Sequence, residues 1–395
     1  MTYPSNVEYE LLGDDTQEDA ANEHAVKTAP VFTGDALDSL GPTAVNFSQR
    51  AVYGRVLSQH VDGFPTVPKY PMLCGTGKSH STSVLLESCL IKDPRLGTLA
   101  EPLSALVFHF DTAAGGGAVQ PCEAAYLSTL DAKRGGDAQA PPVTVLVLPS
   151  NVEAMREVYS ELPAVNVEPL HFSIEDINGE RLLAIMKVDD SGHIPLYIEN
   201  VLEILRGMTG TRFDYDKFQE ELRTKPFTPT QKAMLKLRLS LLDSCLKGGN
   251  SENRVSTHFR KGQLTIVDLS SPFMDGSSAC GFFDLILGLF TQADMGTCGK
   301  IYLSDAQSRA GMSSRLTESL LTVVRQYRHL AIRVIISTQE PTVVPSNFLA
   351  LCSFIIAHRF QSPEWLRILI KHVSVKKEQE DELFSQVRSS VWWIP

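Results

Sequence analysis

Seven short apolar runs, each rich in β-branched or aromatic residues, recur along the chain. They are Ala105–Asp111, Pro142–Pro149, Asn166–Phe172, Leu264–Leu269, Ile301–Asp305, Ile332–Thr338 and Phe354–Phe360. Runs of that length, bounded by turn residues, predict buried strands. Between them the apolar positions change to spacings of three and four, which predicts amphipathic helices over Thr82–Ile91, Pro195–Gly207, Thr230–Leu246, Gly281–Ala293, Thr317–His329 and Pro363–Val373. Strands that are apolar throughout and separated by helices predict a mostly parallel sheet covered on both faces, an α/β fold. Residues 174–262 are mostly helical and longer than a crossover needs, so they are expected to form a helical insertion on that sheet. Gly115–Gly117 and Arg134–Pro142 are expected loops, and no internal repeat is present.

The candidate chemistry begins at Cys74-Gly75-Thr76-Gly77-Lys78-Ser79-His80, immediately ahead of an expected helix. A phosphate-binding loop needs glycines so that successive backbone N–H groups can curl around phosphate oxygens. It also needs a lysine for the β- and γ-phosphates and a hydroxyl beside Mg²⁺. The positive end of the following helix favours the same anion. Gly75, Gly77, Lys78 and Ser79 match those types. The full pattern places glycine five residues before Gly77, where this chain has Met72, and the preceding Val67–Leu73 contains Pro68 and Pro71, which weakens it as a feeding strand. The plain alternative is a glycine turn beside an exposed lysine.

Two later strand ends bear on that choice. Lys300–Asp305 is an apolar run closing on a carboxylate, the position from which phosphate-loop enzymes steer Mg²⁺. Ile332–Thr338 is followed by Gln339, an amide able to touch a γ-phosphate or its attacking water. Each has an ordinary reading as a polar residue opening a turn. The three features in this chain order favour the nucleotide reading.

These segments resemble the HerA/FtsK-like branch of P-loop NTPases, and within it a group of fungal P-loop nucleoside triphosphate hydrolase proteins. The residues that carry the resemblance are GKSHSTSVLLESCL, QLTIVDLSSPFMDGSSACG, LTESLLTVVRQYRHLAIRVIISTQEPTVVP and LCSFIIAHRF, spanning roughly residues 74–375, with Ser-Thr-Gln-Glu-Pro the most specific. The resemblance implies a RecA-like sheet, ATP and Mg²⁺ as cofactors, and a homo-oligomeric ring. It places phosphate and Mg²⁺ against Gly75, Thr76, Gly77, Lys78, Ser79 and His80, makes Asp305 the metal-side acid with Ser79, and makes Gln339 the polar sensor. Arg325 or Arg328 would reach a neighbouring protomer's phosphate as an arginine finger.

Two departures bear on activity. The family loop reads C-G-x-x-G-x-G-K-S, three residues longer than the run here, so fewer N–H groups remain to wrap the β-phosphate. The family follows its strand aspartate with Glu-Ala-His, whereas Ala306, Gln307 and Ser308 follow Asp305. Loss of a general base costs on the order of 10²–10⁴ in rate. The expectation is therefore an ATP-binding protein with weak or lost hydrolysis. The rivals are an active HerA/FtsK-type ATPase or translocase and a scaffold that has given up nucleotide altogether. A misjoined coding sequence would produce the same losses as a decayed duplicate.

Composition narrows the picture further. Nine acids against Lys27 in residues 1–45 supply −8 of the net −10, so that segment is expected to be disordered and the other 350 residues are close to neutral. Residues 46–73, with Pro65, Pro68 and Pro71, form an irregular approach to a domain expected over 74–395. A near-neutral body lacks the positive bias of a typical nucleic-acid binder, and a nucleic-acid partner rests on analogy alone. The seven cysteines are scattered and never spaced C-x-x-C, which argues against a disulfide framework or a zinc site. No run reaches the roughly 18 apolar residues of a membrane span, and the start of the chain lacks a secretory signal's pattern, so an intracellular protein is expected. His109 and Asp111, two apart on one strand, are read as core or rim residues. Lys232, Lys236 and Arg238 are read as a solvated helix face, and Trp392 and Trp393 as part of a packed final strand.

Overall fold

The computed structural model describes residues 78–93, 99, 101–111, 119–130, 137–186, 196–208, 213–247, 253–272, 274–296, 299–306, 314–338, 340, 342, 344–352, 355–357, 360, 362–371 and 392–394. Residues 1–77, with both N-terminal segments expected above, lie outside that set, as does Gly115–Gly117. The chain forms two compact units. One comprises Met1–Pro102, Thr129–Ala140 and Thr338–Pro395, the other Leu103–Ser128 and Pro141–Ser337.

The second unit is built on a six-stranded sheet, parallel throughout and flanked by helices, which is consistent with the RecA-like α/β class. Its strands are β1 (Ser104–His109), β2 (Val143–Val147), β3 (Val165–Pro169), β4 (Leu264–Asp268), β5 (Lys300–Ala306) and β6 (Ile332–Thr338). Their spatial order is β3-β2-β4-β1-β5-β6. The three central strands β1, β2 and β4 are buried at every residue, as their mostly apolar runs require, and they bury the polar Ser104, His109, Thr144, Thr265 and Asp268 along with them. The outer strands are only partly buried, and they carry Glu168 and the exposed Arg333 where an edge benefits from charge.

Among the described residues seven helices belong to this unit: α2 (Val152–Val158), α3 (Gly179–Met186), α4 (Leu196–Gly207), α5 (Tyr215–Thr224), α6 (Pro229–Leu246), α7 (Gly276–Gln292) and α8 (Ser314–Leu330). α1 (Lys78–Leu90), described below, precedes them in the chain. Helix α7 is apolar nearly all round and is started by Asp275, whose carboxylate accepts from Ser278 N at 2.9 Å. It begins five residues earlier than the apolar spacing alone indicates, because this cap and not the hydrophobic period sets its start. It packs on one sheet face, where Phe283 stacks on Phe108 at 4.3 Å between ring centroids and Tyr302 meets Phe108 edge-on at 5.0 Å. At its other end, Lys300 Nζ donates to Thr291 O at 2.8 Å, a buried cation at a helix C-terminus. A glycine is required at position 281: a Cβ there would lie 2.9 Å from Ala184 O and 3.0 Å from Ile185 Cα of α3. The two helix backbones approach closely because Gly281 offers no side chain.

Residues 174–262, between β3 and β4, hold helices α3 to α6. Arg238 on α6 departs from the solvated face read from the sequence. It is 7% exposed, and Nη1 donates to Met186 O, the last carbonyl of α3, at 2.5 Å. Lys232 and Lys236 are exposed, as a solvated face requires. Helices α5 and α6 are tied by Asp243, which accepts from Tyr215 Oη at 2.8 Å and from Gln219 Nε2 at 3.0 Å.

In the first unit, α1 buries Leu86 and Leu90. The unit also holds the short α9 (Ser346–Leu349), β7 (Ile355–Ala357), α10 (Pro363–Ile370) and β8 (Trp392–Ile394). The seventh expected strand therefore stands apart from the parallel sheet: β7 pairs antiparallel with β8, Ile356 opposite Trp393. Trp392 and Trp393 form part of that final strand, as read from the sequence. Among the described residues no helix is long and apolar enough to cross a membrane.

Candidate functional site

In open parallel sheets the carboxyl ends of the strands are where ligands bind. The preferred positions are those where neighbouring strands send their connections away from one another. This topology has two. β2 leads outward to β3 while its neighbour β4 leads across to β5, and β1 leads across to β2 while its neighbour β5 leads outward to β6.

The β2/β4 mouth is closed by a buried polar network. Register pairs Val147 with Asp268 and His109 with Asp268, so the acid stands between β2 and β1 at the top of the sheet, 1% exposed. Alternation along β4 puts it on the face opposite Val267, hence opposite α7. Tyr159, just past α2, donates its hydroxyl to Asp268 Oδ2 at 2.7 Å and accepts from Cys122 N at 2.9 Å. Ser270 N donates to Asp268 Oδ1 at 3.0 Å. Burial first, and the neighbouring carboxylate second, hold the Tyr159 hydroxyl far above an ordinary phenol, so it stays a donor. Ser270 then ties in both neighbours: its carbonyl accepts from Asn151 Nδ2 at 3.0 Å and its hydroxyl from Asp111 N at 2.8 Å.

The β1/β5 mouth carries different residues. Phe108 pairs with Ser304, so the next residues, His109 and Asp305, are level with one another on adjacent strands. His109 is 6% exposed, which fits its reading as a core residue, and Asp111 is half-buried just beyond the strand end, which fits the rim.

Asp305 is the next-to-last residue of β5, and Ala306 ends the strand where the resemblance would have a glutamate. Lys78, Ser79 and His80 are the first three residues of α1 as described, in the first unit, whereas Asp305 belongs to the second. Gly75, Thr76, Gly77 and Gln339 lie outside the described residues. Thr338, which precedes Gln339, exchanges hydrogen bonds with the Glu340 backbone at 3.1 Å in both directions. Arg325 is exposed on α8, and Arg328 lies one turn further along that helix.

Asp268 and Tyr159 escaped the sequence reading. A signal for the acid existed, because Leu-Thr-Ile-Val-Asp has the same form as Ile-Tyr-Leu-Ser-Asp: an apolar strand ending in a carboxylate. Nothing in the sequence marks Tyr159 as its partner, since the bond joins residues 109 positions apart. Among the described residues no three His, Cys, Asp or Glu side chains are grouped to hold a metal, and the described cysteines Cys89, Cys122, Cys245, Cys280 and Cys352 are free thiols. Burial pushes the Cys245 thiol up to about 12, which makes it a packing residue and not a nucleophile.

No family model matches the chain, and no curated protein matches it. Among solved structures it is similar to the bacterial conjugative coupling protein TrwBdeltaN70 in an unbound monoclinic form, at 13% identity over 68% of this chain and 72% of that one, with a TM-score of 0.33. A likeness at that level decides nothing about function.

Proposed function

We propose that this is a P-loop NTPase-like protein that binds ATP with Mg²⁺ and hydrolyses it weakly or not at all. In this reading Gly75, Thr76, Gly77, Lys78, Ser79 and His80 hold the phosphates, and Ser79 and Asp305 serve the metal. Gln339 senses the γ-phosphate. Arg325 or Arg328 serves a neighbouring protomer in a homo-oligomer. The observation that carries it is the run Gly-Thr-Gly-Lys-Ser with its lysine at the head of α1, in a chain whose strand β5 ends at Asp305-Ala306 within a parallel sheet. The shortened glycine turn weakens the phosphate wrap, and Ala306 removes the carboxylate that would polarise water. Those two losses set the expected activity low.

The test is thermal melting with and without ATP and Mg²⁺, on wild type and on Lys78→Ala. A ligand that binds only the native state stabilises it by mass action, about 2.7 kcal/mol at a hundred times its Kd. The wild type should therefore melt higher with nucleotide, Lys78→Ala should not, and turnover should stay low. An unchanged wild-type melting temperature would mean a scaffold without nucleotide. Rapid turnover would mean an active ATPase of the HerA/FtsK type, and salt-dependent binding to nucleic acid would add a translocase role.

A further inference from the structure

Helices α5 and α6 are joined by Lys225-Pro226-Phe227-Thr228, and Pro229 opens α6. Residues 226–228 form neither helix nor turn. Lys225 has φ −74° and ψ 142°, and Thr228 has φ −64° and ψ 157°. Both pairs sit at polyproline II values, about −75° and +145°. The sequence itself imposes them, because a proline drives the residue before it into extended backbone, and prolines follow both.

The fold then fixes the segment at each end. Lys225 Nζ meets Glu203 of α4 at 2.7 Å. Thr228 N donates to Gln231 Oε1 at 2.9 Å, and Gln231 N donates back to Thr228 Oγ1 at 3.3 Å, a capping box. Phe227 is half-buried and roots the middle, while Pro226, Thr228 and Pro229 stand exposed. A polyproline II helix has three residues per turn and rises about 3.1 Å per residue, so prolines three apart share one edge, about 9 Å from each other. Arg223, three residues before Pro226, is exposed in the last turn of α5. The whole reads Arg-x-x-Pro-x-x-Pro, a cation followed by two evenly spaced rings.

We infer that Arg223–Pro229 is a docking segment for a partner domain of the SH3 type, whose shallow groove has an aromatic floor and carboxylates at one end. The aromatic rings pack against Pro226 and Pro229, and the carboxylates take the Arg223 guanidinium. Arg223 supplies the steering charge, since Lys225 is matched to Glu203 within the chain. A loose proline-rich peptide must give up chain entropy to bind, whereas this segment has given it up on folding. The inference stands independently of the nucleotide reading.

A second Pro-x-x-Pro run, Pro65-Thr66-Val67-Pro68, lies outside the described residues, so the test has to tell the two apart. The full chain, without nucleotide, is titrated against an array of purified SH3 domains with fluorescence polarisation as the readout. Wild type should bind saturably to at least one domain. Pro226→Ala combined with Pro229→Ala, and separately Arg223→Glu, should each weaken that binding about tenfold or more, the loss that truncating one anchor brings. Pro65→Ala combined with Pro68→Ala should leave it unchanged, and added salt should weaken wild type more than Arg223→Glu. Circular dichroism melting shows whether each variant is folded; if the Pro226 and Pro229 pair is not, Arg223→Glu and the salt series decide. No binding across the array, a loss confined to the Pro65 and Pro68 variant, or wild-type affinity in Arg223→Glu overturns the proposal.

Discussion

Tyr159 shows how much one hydroxyl can hold. It donates to a carboxylate that is 1% exposed and accepts from a backbone N–H, so it satisfies two buried groups at once. Tyr159→Phe keeps the ring and strands both, and each buried group left without its partner costs about 1–3 kcal/mol, more when charged. Urea denaturation of that variant should show a loss of about 2–4 kcal/mol. A loss under half a kilocalorie would mean that water replaces the hydroxyl. Arg238 teaches the complementary lesson. Lys232 and Lys236 share one helix face, whereas Arg238 falls in the stripe of buried Leu235, Leu242 and Cys245, so helical spacing signals its burial but not its acceptor, a carbonyl of α3. Side-chain fate at that level depends on a partner 52 positions away, which no local pattern encodes.

At the scale of elements, helix–helix contact turns on glycines that look alike in sequence. Gly281 and Gly288 lie two turns apart on α7, yet only the first meets backbone: Ala184 O at 2.9 Å, against Arg181 Nε at 3.8 Å for Gly288. Gly281→Val should therefore cost about 2–3 kcal/mol by forcing α3 and α7 apart. Gly288→Ala should be neutral or gain up to about 1 kcal/mol from helix propensity. Chemical denaturation of the pair checks this, and equal effects would contradict the close approach. The central strands were legible because they are buried on both faces and therefore mostly apolar, with their polar residues Ser104, His109, Thr144, Thr265 and Asp268 buried as well. Phe354–Phe360 has the same apolar look in sequence, but its described strand, Ile355–Ala357, pairs antiparallel with β8. Periodicity reports burial and not the neighbour a strand will choose. Short elements such as α2 and α5 were missed because too few turns fit in them to establish a period.

Across the whole molecule, stability should depend on pH through His258, which lies 3.5 Å from Glu168 of the edge strand β3. Burial lowers its pKa from 6.5 despite the opposing pull of Glu168, so the folded state keeps the ring neutral where the unfolded chain would protonate it. Below pH 6.5 the unfolded chain then binds more protons, and stability falls as pH drops from there toward the lower folded value. Melting temperatures measured from pH 7.5 to 5.5 should decline, and His258→Gln should flatten the decline. A parallel decline in both proteins would assign the effect to other groups. The candidate nucleotide residues were readable one by one at strand and helix ends. Which of them act together was not, because that is decided by strand order, which the sequence does not spell out.

Strand order has a further consequence, for the way the protein is made. β4 lies between β2 and β1, and Ala105 finds its ladder partner in Leu264. As the polypeptide leaves the ribosome, β1, β2 and β3 emerge long before the strand that must separate the first two. The nascent N-terminal half therefore holds two greasy ribbons that it cannot yet seat beside their final neighbours. A chaperone that shields them until β4 arrives should raise the yield of native protein, and a release that stops short of β4 should favour aggregates.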